Sequence, residues 1–581
     1  MRYQQFKQLR NKRMFNKQNT WLPRSFASNQ ADAIFNTKPV FYISDSRSRE
    51  DWVGNFSMTS SFQQNFGKNC NSCKSLGAMP FWSGTNTMTV GNGDGRANLD
   101  AYQFGLGDIV VDENGIGGTI SLDPRVQQAG TNMQLFFAQH KNERGFYFKI
   151  NAALGAMMID PRMKQTGIEL VDSNYFSQTA TGGAGAIQYA WANTSGAPTP
   201  TITNSYYPSV ERRYPSLVSA FAGGISATDG ALDGNDSKPV GLLRGKISSC
   251  KRSVVRLADL AFVLGYNVYA SEKGSVGIAF KTTCPTGNVP TADYALEPIF
   301  GRAGAWGNGG EIMAHYRAWE NDEQSSYLDV WLESEVLHLS PNRKPNLRSF
   351  DLKQNGAGSK YLLLQYYQSE SDGSKTPSYL APAVNVTTLP VISKFDVEGS
   401  VALMFDFHKD NWNVGVGTEF WARSHEKLCI DFCSAIDRAQ QNLNDFAVVG
   451  RQVSHYDVVG STSDAVVARL AQPLATISTS LPAQVLNGST INNLAVPALT
   501  TGIADASLSA NRIPANLNDA LDIAGAAAAR AWSGKVFGQV GYTWNEHRYA
   551  PSVSVGGSAE FSNSNNAVQF WGVQAQGSLQ F

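Results

Sequence analysis

Apolar and polar residues alternate with period two along much of this chain, and its last run shows the pattern most fully. From Trp571 onward every second position (Trp571, Val573, Ala575, Gly577, Leu579, Phe581) is apolar or small, while Gln574, Gln576, Ser578 and Gln580 between them are polar. Alternation of this length predicts a strand with one apolar and one wet face. A long terminal strand must pair with something and cover its apolar side. In an outer-membrane β-barrel the first strand supplies the pairing and lipid supplies the cover.

The same period recurs upstream. Phe56, Met58, Ser60 and Phe62 alternate with Asn55, Ser57, Thr59, Ser61 and Gln63; Phe146, Phe148, Ile150, Ala152 and Leu154 alternate with Tyr147, Lys149 and Asn151. Strands over Leu260 to Ala270 and Val276 to Phe280 flank Ser271-Glu272-Lys273-Gly274-Ser275, a turn with the Gly that a tight reversal favours. In the hairpin from Val397 to Phe420, one face is formed by Val397, Val401, Leu403, Phe405 and Phe407. After His408-Lys409-Asp410-Asn411 that face resumes at Trp412, Val414, Val416, Thr418 and Phe420.

Connection lengths add the topology. Short turns are predicted near 112–117, 140–145, 271–275, 320–326, 408–411 and 546–550. They alternate with connections that are mostly long, near 67–101, 159–255, 285–308, 340–393 and 425–533, and two that are short, near 127–130 and 562–566. Tight turns at one end and extended loops at the other are the asymmetry of outer-membrane barrels. With both chain ends on the periplasmic side the strand number is even, and this placement gives about fourteen strands, within a range of 12–16. The expected fold is therefore all-β: a closed antiparallel transmembrane barrel over 51–581, with large loop insertions near 159–255 and 425–533. Residues 1–50 form a periplasmic tail or a plug. Asp519 to Ala531, alanine-rich with leading acids and a trailing Arg530, predicts a short helix.

Composition is consistent with this picture. Charged residues are 17% of the chain, below the ~25% of soluble domains. The 48 basic and 48 acidic residues cancel, so charge gives no indication of a nucleic-acid partner. Mean hydropathy is −0.25, and no apolar run approaches the ~18 residues of a membrane helix. Met1 to Arg24 is basic and acid-free, with Arg2, Lys7, Arg10, Lys12, Arg13, Lys17 and Arg24, yet holds no apolar core of the kind a secretory signal needs. A signal upstream of this start is the first explanation, and an organelle barrel with a basic presequence is the second. Cys70, Cys73, Cys250, Cys284, Cys429 and Cys433 are even in number; loop disulfides are favoured over free thiols or a metal site.

If the apolar stripes face lipid, the opposite face lines a lumen. It offers Asp329, Glu333, Glu335, Glu398, Asp406 and Glu419, with Lys149, Lys281, Arg317 and Lys535 as basic counterparts. An acidic wall would favour cations, since rings of one charge sign bias permeation; alternatively these groups satisfy one another and keep the interior wet. Gly91 to Asp100 echoes a calcium loop, but Val90 and Ala101 occupy the first and twelfth ligand positions, so a polar outer turn is the better reading. The seven histidines include no His-x-x-x-His pair, and no nucleophile elbow or phosphate loop is present. No enzyme activity, cofactor or metal is expected, and His315 reads as a lumen hydrogen-bonder. Trp52, Tyr269, Trp319, Trp412, Phe420, Trp544 and Phe581 would form aromatic girdles.

Leu257 to Asn267 (Leu-Ala-Asp-Leu-Ala-Phe-Val-Leu-Gly-Tyr-Asn), the hairpin that follows, and Pro285-Thr286-Gly287-Asn288 resemble uncharacterised Gram-negative outer-membrane barrels of a porin-like or channel kind. Similar Pro-Thr-Gly-Asn rims occur in channels for aromatic or other apolar compounds. Leu579 and Phe581 resemble the signal read by the barrel-assembly machinery. A strand count near fourteen is similar to the long-chain fatty-acid transporters, whose amino-terminal segment plugs the lumen, although residues 1–50 carry no match to that plug motif. The resemblance implies a channel for small solutes in the outer membrane, with outer-membrane lipid and the assembly machinery as partners and homo-oligomers possible in principle. The alternatives are a surface structural or adhesion protein anchored by the barrel, and a secreted all-β binding protein.

Overall fold

The computed structural model describes residues 20–39, 52–66, 76–78, 80–106, 109–139, 144–170, 214–224, 241–271, 273–323, 325–341, 346–369, 375–431, 443–457, 464–471, 475–479, 513–545, 549–562 and 567–581. Strands β1 (Val53–Asn65), β2 (Arg125–Ala138), β3 (Phe146–Asp160), β4 (Arg252–Ser271), β5 (Gly274–Cys284) and β6 (Trp306–Glu320) make one half of a sheet. β7 (Ser326–Ser340), β8 (Val397–Lys409), β9 (Trp412–Arg423), β10 (Ala531–Thr543), β11 (Ser552–Ser562) and β12 (Phe570–Gln580) make the other half. Each pairs antiparallel with its neighbour in the chain, and β12 returns to β1, closing a barrel. Closure leaves no sheet edge to satisfy. The last residue takes part: Gly54 N–H donates to Phe581 O at 2.6 Å and Phe581 N–H to Gly54 O at 2.9 Å. The Phe581 ring lies so close that a Cβ on residue 54 would stand 2.4 Å from it, so a larger residue there would have to displace the ring.

Alternation in sequence becomes alternation in space. On β8, Val397, Val401, Leu403, Phe405 and Phe407 are exposed on the outside, while Glu398, Ser400, Ala402, Met404, Asp406 and His408 are buried inside. β9 repeats this with Trp412, Val414, Val416 and Phe420 outward, and β12 with Trp571, Val573 and Leu579 outward. Val416 is 58% and Val555 65% exposed on the outer wall, within a continuous apolar surface larger than isolated exposed side chains make. Among the described residues no helix is long and apolar enough to cross a membrane.

The barrel has twelve strands, the lower limit of the expected range. The surplus in the count near fourteen comes from reading turns near 112–117 and 127–130. The second of these lies inside β2, which runs unbroken through Gln127 to Gly130. The first belongs to a small sheet outside the barrel, built from Thr87–Gly91, Leu99–Asp100, Gly118–Ser121 and Lys164–Thr166. Its Leu99, Phe104, Ile109 and Ile120 bury against Leu217 and Phe221. The same apolar spacing serves either destination: lipid for a barrel strand, a protein core for this one.

The remaining short turns join β2 to β3, β4 to β5, β6 to β7, β8 to β9 and β10 to β11, all at the end that holds Val53 and Phe581. The long connections leave from the opposite end, where two apolar cores form, one around Phe221 and Tyr361 and one around Phe350 and Phe446. The helix expected over 519–531 is instead two single turns, Leu517–Ala520 and Ile523–Ala526, the latter capped by Asp522. Cys250, Cys284 and Cys429 are free thiols; Cys70, Cys73 and Cys433 lie outside the described residues.

Candidate functional site

The lumen holds the chain's own amino-terminal segment. Ser25 starts it as a cap, its Oγ accepting from Ala27 N–H and donating to Asp259 Oδ2 at 3.1 Å. Helix α1 (Gln30–Thr37) follows. Ala31, Ile34 and Phe35, three to four residues apart, share one helix face. They pack on Trp331, Ala402, Met404 and Phe537, an apolar strip within an otherwise polar wall. Asp32 and Asn36 bond to the other side: Asn132 Nδ2 donates to Asp32 Oδ2, and Thr59 Oγ1 to Asn36 Oδ1 at 2.8 Å.

Contacts above and below lock the segment along the whole lumen. At the loop end Trp21 and Phe26 pack among Met157, Phe300 and Phe570, and Arg423 Nη2 donates to Leu22 O at 2.8 Å. Lower down, Arg24 pairs with Glu419 and, at 3.1 Å, with Glu560. At the turn end Lys38 meets Asp406 at 3.1 Å, and Gln580 Nε2 donates to Pro39 O. Burial alone would lower the Arg24 pKa, but Glu419 and Glu560 more than offset this and hold it above the ordinary value. For Lys38 burial wins over Asp406, and its pKa falls. Asp32 is pushed up to about 6 by burial, which Lys535 and the Asn132 hydrogen bond oppose only in part.

The structure puts every charge picked from the sequence on the inner face and links them. Lys149 bridges Glu311 at 2.7 Å and Glu333 at 3.0 Å. Lys281 bridges Glu311 at 2.9 Å and Glu335 at 2.6 Å. Arg302 reaches in from the 285–305 connection to Glu398 at 2.9 Å and Asp259 at 3.1 Å. Lys535 meets Glu419 at 3.1 Å. Nearer the turn end, Arg317 and His315 flank Asp329 at 3.3 and 3.1 Å, and His408 lies 2.9 Å from Asp406. Leu579 and Phe581 stand on the outer wall, 49% and 46% exposed.

Arg24, Asp32, Lys38, Asp259, Arg302, Glu311 and Glu560 complete the network and were missed in the sequence. Glu311 had a signal, since it shares a face with Met313 and His315 on β6 while Ile312 and Tyr316 between and beyond them are exposed. Arg24 and Lys38 had none, because their segment carries no strand pattern. The Pro285 to Asn288 turn holds the connection that delivers Arg302. Asn288 Nδ2 donates to Pro298 O at 2.9 Å, and Phe300 N–H donates to Asn288 Oδ1 at 2.8 Å.

Between the segment and β2 to β5 a cavity of about 40 Å³ remains, lined by Asp32, Asn36, Asn132, Gln134, Lys281 and Arg302 among others. A water needs ~10–15 Å³ by this measure, so a few waters fit and a solute does not.

No protein-family model matches the chain, and no curated protein matches it. Several solved structures are similar in outline. An outer membrane channel from Pseudomonas putida F1 covers 91% of this chain and 96% of its own at 8% identity, TM-score 0.33. A mutant of the TodX monoaromatic hydrocarbon channel covers 95% of each at 9% identity, TM-score 0.28. A Pseudomonas aeruginosa FadL homologue covers 97% and 98% at 7% identity, TM-score 0.27. Likeness this remote carries no argument.

Proposed function

We propose that this chain is an outer-membrane channel for small solutes, held closed by residues 20–39 and opened when they move. The observation that carries the reading is a closed barrel, apolar outside, whose charged lumen is filled by a separable segment rather than by the wall itself. A barrel made only to anchor loops gains nothing from burying so many charges, each of which costs several kcal/mol to remove from water before its partner repays it. The turn end faces the periplasm and the loop end the exterior, as in barrels of this build. Leu579 and Phe581, ending the strand that closes the seam, are the proposed mark for the assembly machinery.

The wall is acidic once the segment is subtracted. Asp259, Glu311, Asp329, Glu333, Glu335, Glu398, Asp406, Glu419 and Glu560 still outnumber Lys149, Lys281, Arg317, Arg423 and Lys535 of the wall and Arg302 of the 285–305 connection, while Arg24, Asp32 and Lys38 belong to the plug. An opened lumen therefore prefers cations. The test is planar-bilayer recording of the full chain and of a variant lacking 20–39. The full chain should be mostly closed, and the deletion should conduct with a reversal potential on the cation side. Asp406→Asn with Glu419→Gln should move that potential towards zero. A deletion variant that assembles but does not conduct would overturn the channel and favour the second reading, an anchor for surface loops, which the two folded cores at the loop end support.

A further inference from the structure

The apolar strip beneath the plug is one rung of the wall, set between two acidic rungs. Across β7 to β10 the register puts Trp331 beside Met404, Met404 beside Gly417 and Gly417 beside Phe537. Two residues nearer the loop end, Glu333, Ala402, Glu419 and Lys535 line up in the same way; two residues nearer the turn end stand Asp329 and Asp406. Trp331, Met404, Phe537 and the four carboxylates are all buried on the inner face. Gly417 leaves the middle of the apolar rung without a side chain, and the Phe537 ring lies across it, where a Cβ would stand 2.5 Å from the ring. The plug matches this wall rung by rung. Phe35 meets Phe537 edge to face with ring centroids 5.4 Å apart, and Ala31 and Ile34 fill out the apolar contact. Its cations go to the acidic rungs, Arg24 to Glu419 above and Lys38 to Asp406 below.

We propose that this row is the solute site of the opened lumen, that its ligand is an aromatic ammonium (a ring on a short chain ending in a charged amine), and that the plug closes the channel by occupying the same site. When residues 20–39 move, the apolar row and the carboxylates that the plug neutralised are uncovered together. Trp331, Met404 and Phe537 offer ring faces, ring edges and a thioether, the partners an aromatic ring prefers. Glu333 and Glu419 keep Lys149 and Lys535 at 3.0 and 3.1 Å, whereas Lys38 leaves Asp406 with the plug, so the amine goes to the lower rung. Rungs two residues apart are separated by about 6.6 Å along the strand, the reach of an amine two or three carbons from its ring. A neutral arene forgoes the carboxylate, and an anion meets acidic rungs on both sides. Because such a ligand binds only the wall that the plug has left, it draws the population towards the open state. The solute thus unlocks its own channel.

The inference rests on the plugged channel proposed above, and the experiment separates the two. Phenethylammonium, butylammonium, phenethyl alcohol and phenylacetate are compared in planar bilayers. In the variant lacking 20–39, phenethylammonium should block the cation current at a concentration lower than the other three by about tenfold or more. Trp331→Ala should erase most of its margin over butylammonium, and Asp406→Asn most of its margin over phenethyl alcohol. In the full chain, phenethylammonium should raise the frequency of openings by about tenfold or more while the other three leave it unchanged. Equal block by all four probes in a conducting deletion variant overturns the solute site and leaves the channel standing. A deletion variant that assembles without conducting overturns the channel, and the site with it. No rise in openings of the full chain overturns the shared site, whether or not the deletion variant folds.

Discussion

Asp32 sits against the barrel wall with Oδ2 accepting from Asn132 and Oδ1 without a hydrogen-bond donor among the described residues. Its carboxyl, raised to about 6 from an ordinary value of 3.8, binds a proton more tightly when the plug is docked than when it is released. Docking must therefore strengthen as pH falls through 6 towards 4 and weaken above 6. Open probability in bilayers should drop on acidification from pH 7.5 to 5, and Asp32→Asn should be more closed at pH 7.5 and lose that part of the dependence. Lys535, Glu419 and Arg24 act on the same carboxyl, so any residual slope in Asp32→Asn reports on them. At Gly287 the limit is steric, because a Cβ would stand 2.2 Å from Phe300 O. Gly287→Val should loosen the 296–303 stretch, seen as faster amide exchange there, and Asn288→Ala should cost about 1–3 kcal/mol by stranding two partly buried backbone groups. The rim motif was visible in the sequence as a turn; its work, holding Arg302 over Glu398, was not, because nothing local marks which carboxylate a connection will meet.

Strands were legible, whereas the plug stood only as one of two readings of residues 1–50 and its contacts were not legible, for one physical reason. An apolar outside and a polar lumen force period two on every barrel strand, so Phe405, Asp406 and Phe407 announce their faces. A lumen segment is surrounded by polar wall with one apolar strip, so Ala31, Ile34 and Phe35 suffice and the rest of α1 is free to be polar. The same ambiguity in reverse produced the surplus strands, since Leu99 to Leu122 alternates for a small protein core. At this scale the Arg24 clamp is the plug's main electrostatic tie. Removing one partner of a buried pair costs about 3–5 kcal/mol; Lys535 stays within 3.1 Å of Glu419 and 3.8 Å of Glu560, which places Arg24→Ala at the low end. Recordings of Arg24→Ala should show openings at least tenfold more frequent than in the parent chain.

As a whole, the molecule is two-faced by construction: apolar side chains cover the outside, and ion pairs between the wall, the plug and the 285–305 connection stabilise the inside. A charge on the outside should be far worse than one neutralised within. Val416→Arg, near the middle of β9, should cost about 2–4 kcal/mol in folded barrel, read as the fraction of heat-modifiable species on a gel, whereas the same substitution on a protein-covered or water-facing surface would not show that membrane dependence. The most direct test of the plugged channel is to tie the plug in place. In a cysteine-free Arg24→Ala chain, Asn36→Cys and Thr59→Cys put two thiols where the side chains now meet at 2.8 Å, ready for a short cleavable crosslinker. The account predicts that bridging abolishes the frequent openings of the parent variant and that cleavage of the bridge restores them; undiminished conductance through the bridged protein would show that solute passes by some other path.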